Sequence, residues 1–286
     1  MGYNETVRFL LSRGARVDLI DGFGRNALHW AIRGGFAGLP QSELEMVKLF
    51  AAVPGVNVNN VDKEGMTPLL DSIALNRTDM MNVLLGIEKI DVNMSGKEGS
   101  TPLMLAIRYN RNNMIGHLLG SQGLNIDAVD EQGRSALYHT VAMRNRATVK
   151  TLLDRNAKTN TVTKDGKTLL HAAFGPATWY LAPESTNIED AKLLFEYRDI
   201  DINKADDKGN TILYLAIRQD RPDLVKLLLS SPDLDVNKPT PGGGRYFHQV
   251  IGLPNLRYAY EMAIMLLDRQ DVDVNTPYDH NGNTAV

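Results

Sequence analysis

A short pattern recurs along the chain, in which a glycine is followed two residues later by Thr, Ser or Asn. These glycines are Gly24, Gly65, Gly99, Gly133, Gly166 and Gly209, and Gly243 and Gly282 extend the series less regularly. The spacings are 41, 34, 34, 33, 43, 34 and 39 residues, which indicates a period of 33 to 34 residues with three insertions. A period of this length is typical of proteins in which one supersecondary unit repeats and each copy packs on its neighbours. The chain is therefore predicted to be a linear array of repeats.

A second landmark keeps a constant distance from these glycines. An Asn or Asp lies six residues before seven of them, at Asp18, Asn59, Asn93, Asp127, Asn160, Asn203 and Asn237. Because this separation stays constant while the period varies, the two landmarks are predicted to belong to one rigid loop in each repeat.

The stretch from Gly99 to Asp127 is the plainest copy of the unit. Pro102 stands where a helix can begin, because the first N–H groups of a helix have no partner within it. Leu103, Ala106 and Ile107 then lie at i, i+3 and i+4, the spacing of one apolar helix face. A second apolar stripe of the same period follows at Met114, Ile115, Leu118 and Leu119. The unit is predicted to be a helix, a turn, a second helix and an extended loop.

The start of the first helix has a recurring spelling. Thr67-Pro68-Leu69 and Thr101-Pro102-Leu103 are its clearest copies, and the looser copies are Asn26-Ala27-Leu28-His29, Thr168-Leu169-Leu170-His171 and Thr211-Ile212-Leu213-Tyr214. An Asp-x-x-Gly pattern precedes several of them, beginning at Asp21, Asp62, Asp130 and Asp206. In these residues the chain resembles the ankyrin-repeat family, whose unit is a β-turn finger followed by two antiparallel helices with a T-P-L-H-x-A signature.

This resemblance covers nearly the whole chain and implies an all-α ankyrin-repeat solenoid of stacked helix-turn-helix units. It also implies that His29, His171 and His248, at the fourth place of the signature, hydrogen-bond neighbouring loops. The predicted single array spans 1–286, with a partial repeat or cap at 1–20, seven repeats at 21–61, 62–95, 96–129, 130–162, 163–205, 206–239 and 240–278, and the start of an eighth unit at 279–286. The fifth repeat carries an insertion at 175–187.

Composition narrows the functional classes. The 286 residues include no cysteine, which excludes disulfides, a thiol nucleophile and metal sites built from cysteine. The net charge of −3 gives no reason to expect nucleic acid or an anionic membrane as a partner, and no apolar run approaches the ~18 residues of a membrane helix. No catalytic or metal-binding motif is complete, so neither a cofactor nor an enzyme activity is predicted. The expected protein is a monomer inside the cell, cytoplasmic or nuclear.

The resemblance implies a non-catalytic protein-interaction module, a region of a larger protein, that binds its partner along the concave surface of first helices and fingers. The fifth place of the signature and the place four residues later share a helix face, and aromatic, Met and Arg side chains are enriched in interface cores. The candidate contact residues on or beside this face are Trp30, Arg33, Asp71, Leu75, Arg108, Tyr109, Arg134, His139, Met143 and Arg218.

The charge distribution predicts the chemistry of the partner. Residues 101–170 contain ten Lys or Arg and five Asp or Glu, a local charge of +5, which leaves −8 for the remainder. A positive middle would attract an acidic or phosphorylated segment, with Arg108 and Arg134 as its contacts. The alternative is a small-molecule-binding or catalytic protein with a pocket around Asp71, Arg108, Tyr109 and His139.

Overall fold

The computed structural model describes residues 3–34, 40–174, 188–196 and 200–273. The predicted insertion at 175–187 and the start of an eighth unit at 279–286 lie outside these residues. The described residues form fifteen α-helices and no β-strand, which confirms the all-α prediction, and none of these helices is long and apolar enough to cross a membrane. The helices are α1 Tyr3–Ser12, α2 Ala27–Arg33, α3 Pro40–Ala51, α4 Pro68–Ala74, α5 Thr78–Leu85, α6 Pro102–Arg108, α7 Asn112–Leu119, α8 Ala136–Ala142, α9 Arg146–Asp154, α10 Leu169–Phe174, α11 Ile188–Phe195, α12 Ile212–Arg218, α13 Pro222–Leu229, α14 Tyr246–Ile251 and α15 Leu256–Leu267.

The Thr-Pro spelling sets where the first helices begin. The Thr67 hydroxyl accepts a hydrogen bond from the backbone N–H of Leu70 at 3.2 Å, and the Thr101 hydroxyl accepts one from Met104 at 3.3 Å. Each hydroxyl satisfies one N–H group that a helix start leaves open, and the proline that follows has no N–H to satisfy. Helices α4 and α6 therefore start at equivalent residues, and equivalent residues lie on the same face of each helix.

The Asp-x-x-Gly pattern builds the finger. The Asp62 carboxylate accepts hydrogen bonds from the backbone N–H groups of Glu64 and Met66, both at 2.9 Å. Gly65 between them has a φ of 78°, which a residue without a Cβ adopts readily. The same carboxylate turn recurs at Asp21, Asp130 and Asp206. Each of these fingers is closed by its own aspartate.

The chain divides into two compact units, Met1–His139 and Thr140–Val286, and the division falls within α8. In the first unit the first helices α2, α4 and α6 pack in sequence, as do the second helices α1, α3, α5 and α7. In the second unit α10, α12 and α14 form one such series, and α11, α13 and α15 form the other. Each unit is a two-layered stack of helix pairs with its apolar core between the layers.

Asparagines in the extended loops join consecutive repeats. The Asn59 side chain donates to the Lys89 carbonyl at 2.8 Å and accepts from the Asp91 backbone N–H at 2.9 Å. The equivalent amides of Asn93, Asn203 and Asn237 make the same pair of bonds to the loops that follow them. One amide thus satisfies a donor and an acceptor of the next loop, which explains the constant position of this residue.

Two signature histidines, His29 and His171, each contact the finger of the repeat that follows their own, as the resemblance implied. His29 Nε2 lies 3.0 Å from the carbonyl oxygen of Met66, and His171 Nε2 lies 3.0 Å from that of Asn210. Burial lowers the pKa of both histidines, because it disfavours the charged imidazolium.

Candidate functional site

A surface groove of about 580 Å³ lies in the first unit, along α4, α6 and the fingers that precede them. We call it the Leu75–Tyr109 groove. It brings together five predicted contact residues, Arg33, Asp71, Leu75, Arg108 and Tyr109. The other residues that line it are Glu64, Met66, Leu70, Ala74, Gly96, Lys97, Glu98, Ser100 and Leu105.

Leu75 and Tyr109 supply the exposed apolar surface of this groove. Each directly follows the last residue of a first helix, α4 or α6, and 34 residues separate the two positions. Leu75 is 45% exposed and Tyr109 is 49% exposed, whereas Leu70 and Leu105, which line the same groove, are buried. Large apolar side chains exposed together on a folded surface often mark an interaction site.

At one end of the groove Arg33 is enclosed by carboxylates. Its guanidinium binds Asp71 in a two-pronged arrangement, with Nε 2.7 Å from Oδ2 and Nη2 2.8 Å from Oδ1. Nη2 also lies 3.1 Å from Asp62 Oδ2, and the Glu64 carboxylate is 3.3 Å from Nη1. Arg25 shares Asp62 and Glu64 with it. We call Arg25, Arg33, Asp62, Glu64 and Asp71 the Arg33 cluster.

The Arg33 cluster is held together by charge, and its Asp62 and Asp71 side chains are buried. Asp71 is 2% exposed, and burial raises the pKa of its carboxyl group while the hydrogen bonds from Arg33 oppose that rise. The hydrogen bond to Asp71 in turn raises the pKa of Arg33. A charged pair this far removed from solvent depends on both partners, because the loss of one leaves the other without compensation. Arg33 and Asp71 therefore serve the fold of repeats 1 and 2.

Two carboxylates of the Arg33 cluster, together with His29, could in principle hold a metal ion. His29, Asp62 and Asp71 each direct one possible ligand atom into a region where these atoms lie within 4.8 Å of one another. Arg33 already makes hydrogen bonds to both of these carboxylates. Its guanidinium supplies the positive charge that a cation would otherwise bring.

At the other end of the groove Arg108 is held far less tightly. Its Nη1 atom donates to the Ser100 hydroxyl at 3.3 Å and lies 3.9 Å from Glu98 Oε2. The Arg108 side chain is 43% exposed, compared with 22% for Arg33. An ion pair that is long and exposed to water contributes little to stability, so the Arg108 charge is available to a ligand.

Arg134 and His139 lie beside the groove and are engaged with Asp130. Arg134 Nε donates to Asp130 Oδ2 at 2.8 Å, and His139 Nε2 lies 2.9 Å from the same oxygen. His139 is buried, and burial lowers its pKa against the opposing effect of Asp130, with the charges of Arg134 and Arg108 adding to the decrease. The sequence prediction placed Asp71 and His139 on the contact surface. In the structure Asp71 is 2% exposed and His139 is 7% exposed, and their charged partners are Arg33 and Asp130.

The remaining predicted contact residues are exposed but do not line the groove. Trp30 donates its indole N–H to Asp21 Oδ2 at 3.0 Å and is 41% exposed. Met143 and Arg218 are exposed residues of the second unit. Of the ten predicted residues, five line the groove, Arg134 and His139 lie beside it, and Trp30, Met143 and Arg218 are exposed elsewhere.

Several groove residues were missed by sequence reasoning. Met66, Lys97 and Ser100 line it, and Glu64 and Glu98 contribute carboxylates. The finger pairs Lys63-Glu64 and Lys97-Glu98 were the available signal, but charged finger tips are most simply interpreted as solvated turns. The finger contribution to the groove follows from the packing of one finger against the next.

The family model for ankyrin repeats, which comprises three copies, matches residues 1–95, 36–130, 73–164 and 142–240. Together these matches cover most of the chain, so the protein belongs to the ankyrin-repeat family. Ankyrin repeats are generally protein-protein interaction modules, and the fold is typically a non-catalytic scaffold.

A solved structure supports the same fold. It is the crystal structure of the ankyrin repeat domain of Bcl-3, a unique member of the IkappaB protein family. The two chains share 22% sequence identity, and their structures match with a TM-score of 0.59. The match covers 74% of this chain and 86% of that chain. At this identity the likeness shows the fold alone. No curated protein matches the chain in sequence.

Proposed function

We propose that this chain is a non-catalytic protein-interaction module whose partner binds the Leu75–Tyr109 groove as an extended segment. The observation that carries the proposal is the exposure of Leu75 and Tyr109 at equivalent places of neighbouring repeats. Half-exposed Leu and Tyr side chains lose their contact with water when a partner covers them, and such burial is a main source of binding energy.

The charges of the groove support an acidic or phosphorylated segment as the partner. Arg108 is largely open to solvent, and Lys97 is exposed on the adjacent finger. Arg33 contributes no free charge, because three carboxylates surround it. A cation at one end and an apolar surface beside it would fix the position of an anionic partner along the groove.

The same geometry disfavours the catalytic alternative. A general acid or base must be able to reach a proton of the substrate. Asp71 is bound by Arg33, and His139 shares the Asp130 carboxylate with Arg134. The two groups that would serve as acid and base therefore already have charged partners within the protein.

The test is a comparison of two double variants of the full chain. In Leu75→Ser/Tyr109→Ser the groove loses its apolar surface, and in Leu256→Ser/Tyr260→Ser the same residue types change on α15, where they are also exposed. Proteins that the wild-type chain captures from an extract of its source organism are purified, and their dissociation constants are measured by calorimetry.

We expect the groove variant to bind at least about ten-fold more weakly than the wild-type chain, since central apolar contacts dominate interface energies. The α15 variant should bind within a factor of about two of it. Equal affinities for the wild-type chain and the groove variant would exclude this groove as the binding site.

A further inference from the structure

Two arginines of the first unit occupy the same place in different repeats, and their surroundings differ. Arg33 is the last residue of α2, and Arg108 is the last residue of α6, each seven residues after the helix N-cap. Both lie in the first unit and both line the Leu75–Tyr109 groove. The protein therefore contains an internal comparison between a satisfied arginine and an open one.

The contacts of Arg33 show which ligand an arginine at the end of a first helix can bind. Asp71, at the fifth place of the following repeat, presents both carboxylate oxygens to Arg33 at 2.7 and 2.8 Å. Asp62, the first residue of the following finger, adds a third oxygen at 3.1 Å. Planar two-oxygen binding of this kind is the geometry that a guanidinium prefers.

In the open copy, neither of these carboxylates is available. His139 stands at the fifth place of repeat 4, where repeat 2 has Asp71, so the two-oxygen ligand is missing. Asp130 corresponds to Asp62, but one of its oxygens already binds both Arg134 and His139. The contacts of Arg108 are the Ser100 hydroxyl at 3.3 Å and Glu98 at 3.9 Å.

We propose that Arg108 is a carboxylate-binding site for the partner, in which an Asp or Glu side chain binds the guanidinium as Asp71 binds that of Arg33. This inference rests on the proposed function and specifies the residue that the partner supplies. Lys97 lies on the same groove and adds a second positive charge. A large apolar side chain next to that carboxylate covers Tyr109 and Leu75.

The groove favours a carboxylate over a phosphate monoester. Glu98 lies 3.9 Å from Arg108 and is exposed, and Glu64 lines the same groove. These two carboxylates balance the charges of Arg108 and Lys97, so the site has no excess positive charge to hold a phosphate group of about −1.5 to −2. The ligand that Arg33 binds at the equivalent place is the singly charged carboxylate of Asp71. The recognised element is therefore an acidic residue followed or preceded by a large apolar residue.

The test uses a display library of random peptides of about twelve residues, selected on the full chain. Peptides selected by the wild-type chain should share an Asp or Glu next to a large apolar residue. Arg108→Gln should weaken the tightest of them at least about ten-fold, because it removes the charge that binds the carboxylate.

His139→Asp is the sharper variant, since it gives the chain its own carboxylate at the place that Asp71 occupies in repeat 2. It should weaken the same peptide at least about ten-fold by occupying Arg108 internally. His139→Asn is the matched control, because Asn has nearly the shape of Asp but no charge. Its affinity for the peptide should stay within about three-fold of that of the wild type.

Three results would overturn the proposal. The first is a selection without acidic residues, the second is unchanged binding in both Arg108→Gln and His139→Asp, and the third is tighter binding when phosphoserine replaces the acidic residue. If the selected peptides still depend on Leu75 and Tyr109 in the first two cases, the groove remains a binding site and only the role of Arg108 is wrong.

Discussion

The first helix of repeat 1 and the first helix of repeat 3 both end in an arginine, but the residues that surround this arginine differ. Arg33 and Arg108 end equivalent helices, yet Arg33 is enclosed by three carboxylates, whereas Arg108 is 43% exposed and has one distant carboxylate at 3.9 Å. The difference depends on the fifth place of the following repeat, which is Asp71 in one case and His139 in the other. A single residue in the next repeat therefore distinguishes an arginine with a two-oxygen ligand inside the array from one without it.

The largest expected effect is on stability at the satisfied arginine. Arg33→Gln leaves the buried Asp71 carboxylate without its cation, and we expect a loss of about 2–3 kcal/mol in the free energy of unfolding. This figure lies below the range for fully buried pairs because the Arg33 side chain keeps 22% exposure. Urea unfolding, with hydrogen exchange of the peptide 62–75, measures it.

Arg108→Gln is the matched control for that experiment. Because Arg108 is exposed and weakly bound, its replacement should change the free energy of unfolding by less than about 0.5 kcal/mol. Similar losses in the two variants would show that the two arginines do not differ as the structure indicates.

The next effect is a pH dependence of stability that His139, the fifth place beside Arg108, contributes near neutral pH. The pKa of His139 lies below its ordinary value of 6.5 because of burial, so the unfolded chain takes up this proton first as the pH falls. The contribution of His139 to stability is therefore full above about pH 6.5 and is lost as the pH falls through its lowered folded-state pKa.

The measurement is the free energy of unfolding from about pH 7.5 to about pH 5.5 in the wild type and in His139→Asn. The wild type should have the steeper decrease, by at most about 1.4 kcal/mol per pH unit, the value for one proton. Parallel curves would mean that His139 does not titrate in this way.

The smallest expected effect concerns the loop asparagines, which join repeat 1 to repeat 2 at Asn59 and repeat 2 to repeat 3 at Asn93. Asn59→Asp and Asn93→Asp each keep the side-chain oxygen that accepts from the next loop and lose the N–H group that donates to it. We expect about 1 kcal/mol of destabilisation in each case, the usual net value of one hydrogen bond. Clearly unequal losses, measured by urea unfolding, would indicate that these loops are not equivalent and that the comparison of the arginines needs another reference.

Much of the fold could be predicted from short-range patterns. The Thr-Pro start, the Asp-x-x-Gly finger and the apolar helix stripes act within one repeat, and the structure has helix starts and fingers of these kinds. The loop asparagines were recognisable from their constant position, although the bonds that they make to the next loop were not.

The candidate site was less accessible from the sequence. The helical period placed Asp71 and Leu75 on one face, as it did His139 and Met143, and all four were predicted as contact residues. In the structure Asp71 and His139 are buried while Leu75 and Met143 are exposed. Periodicity reports which face a residue occupies, but its exposure depends on what the neighbouring repeat places against it.

By itself, the sequence determined that this protein is an array of helix pairs with fingers, because those elements depend on residues within one period of the chain. Only the tertiary structure decided which arginine is enclosed by carboxylates and which is held weakly. Arg33 binds Asp71, which lies 38 residues further along the chain. The equivalent residue for Arg108 is His139, 31 residues further along, and a histidine cannot supply a carboxylate. Charges that far apart in sequence compensate each other only when the stacking of repeats brings them together.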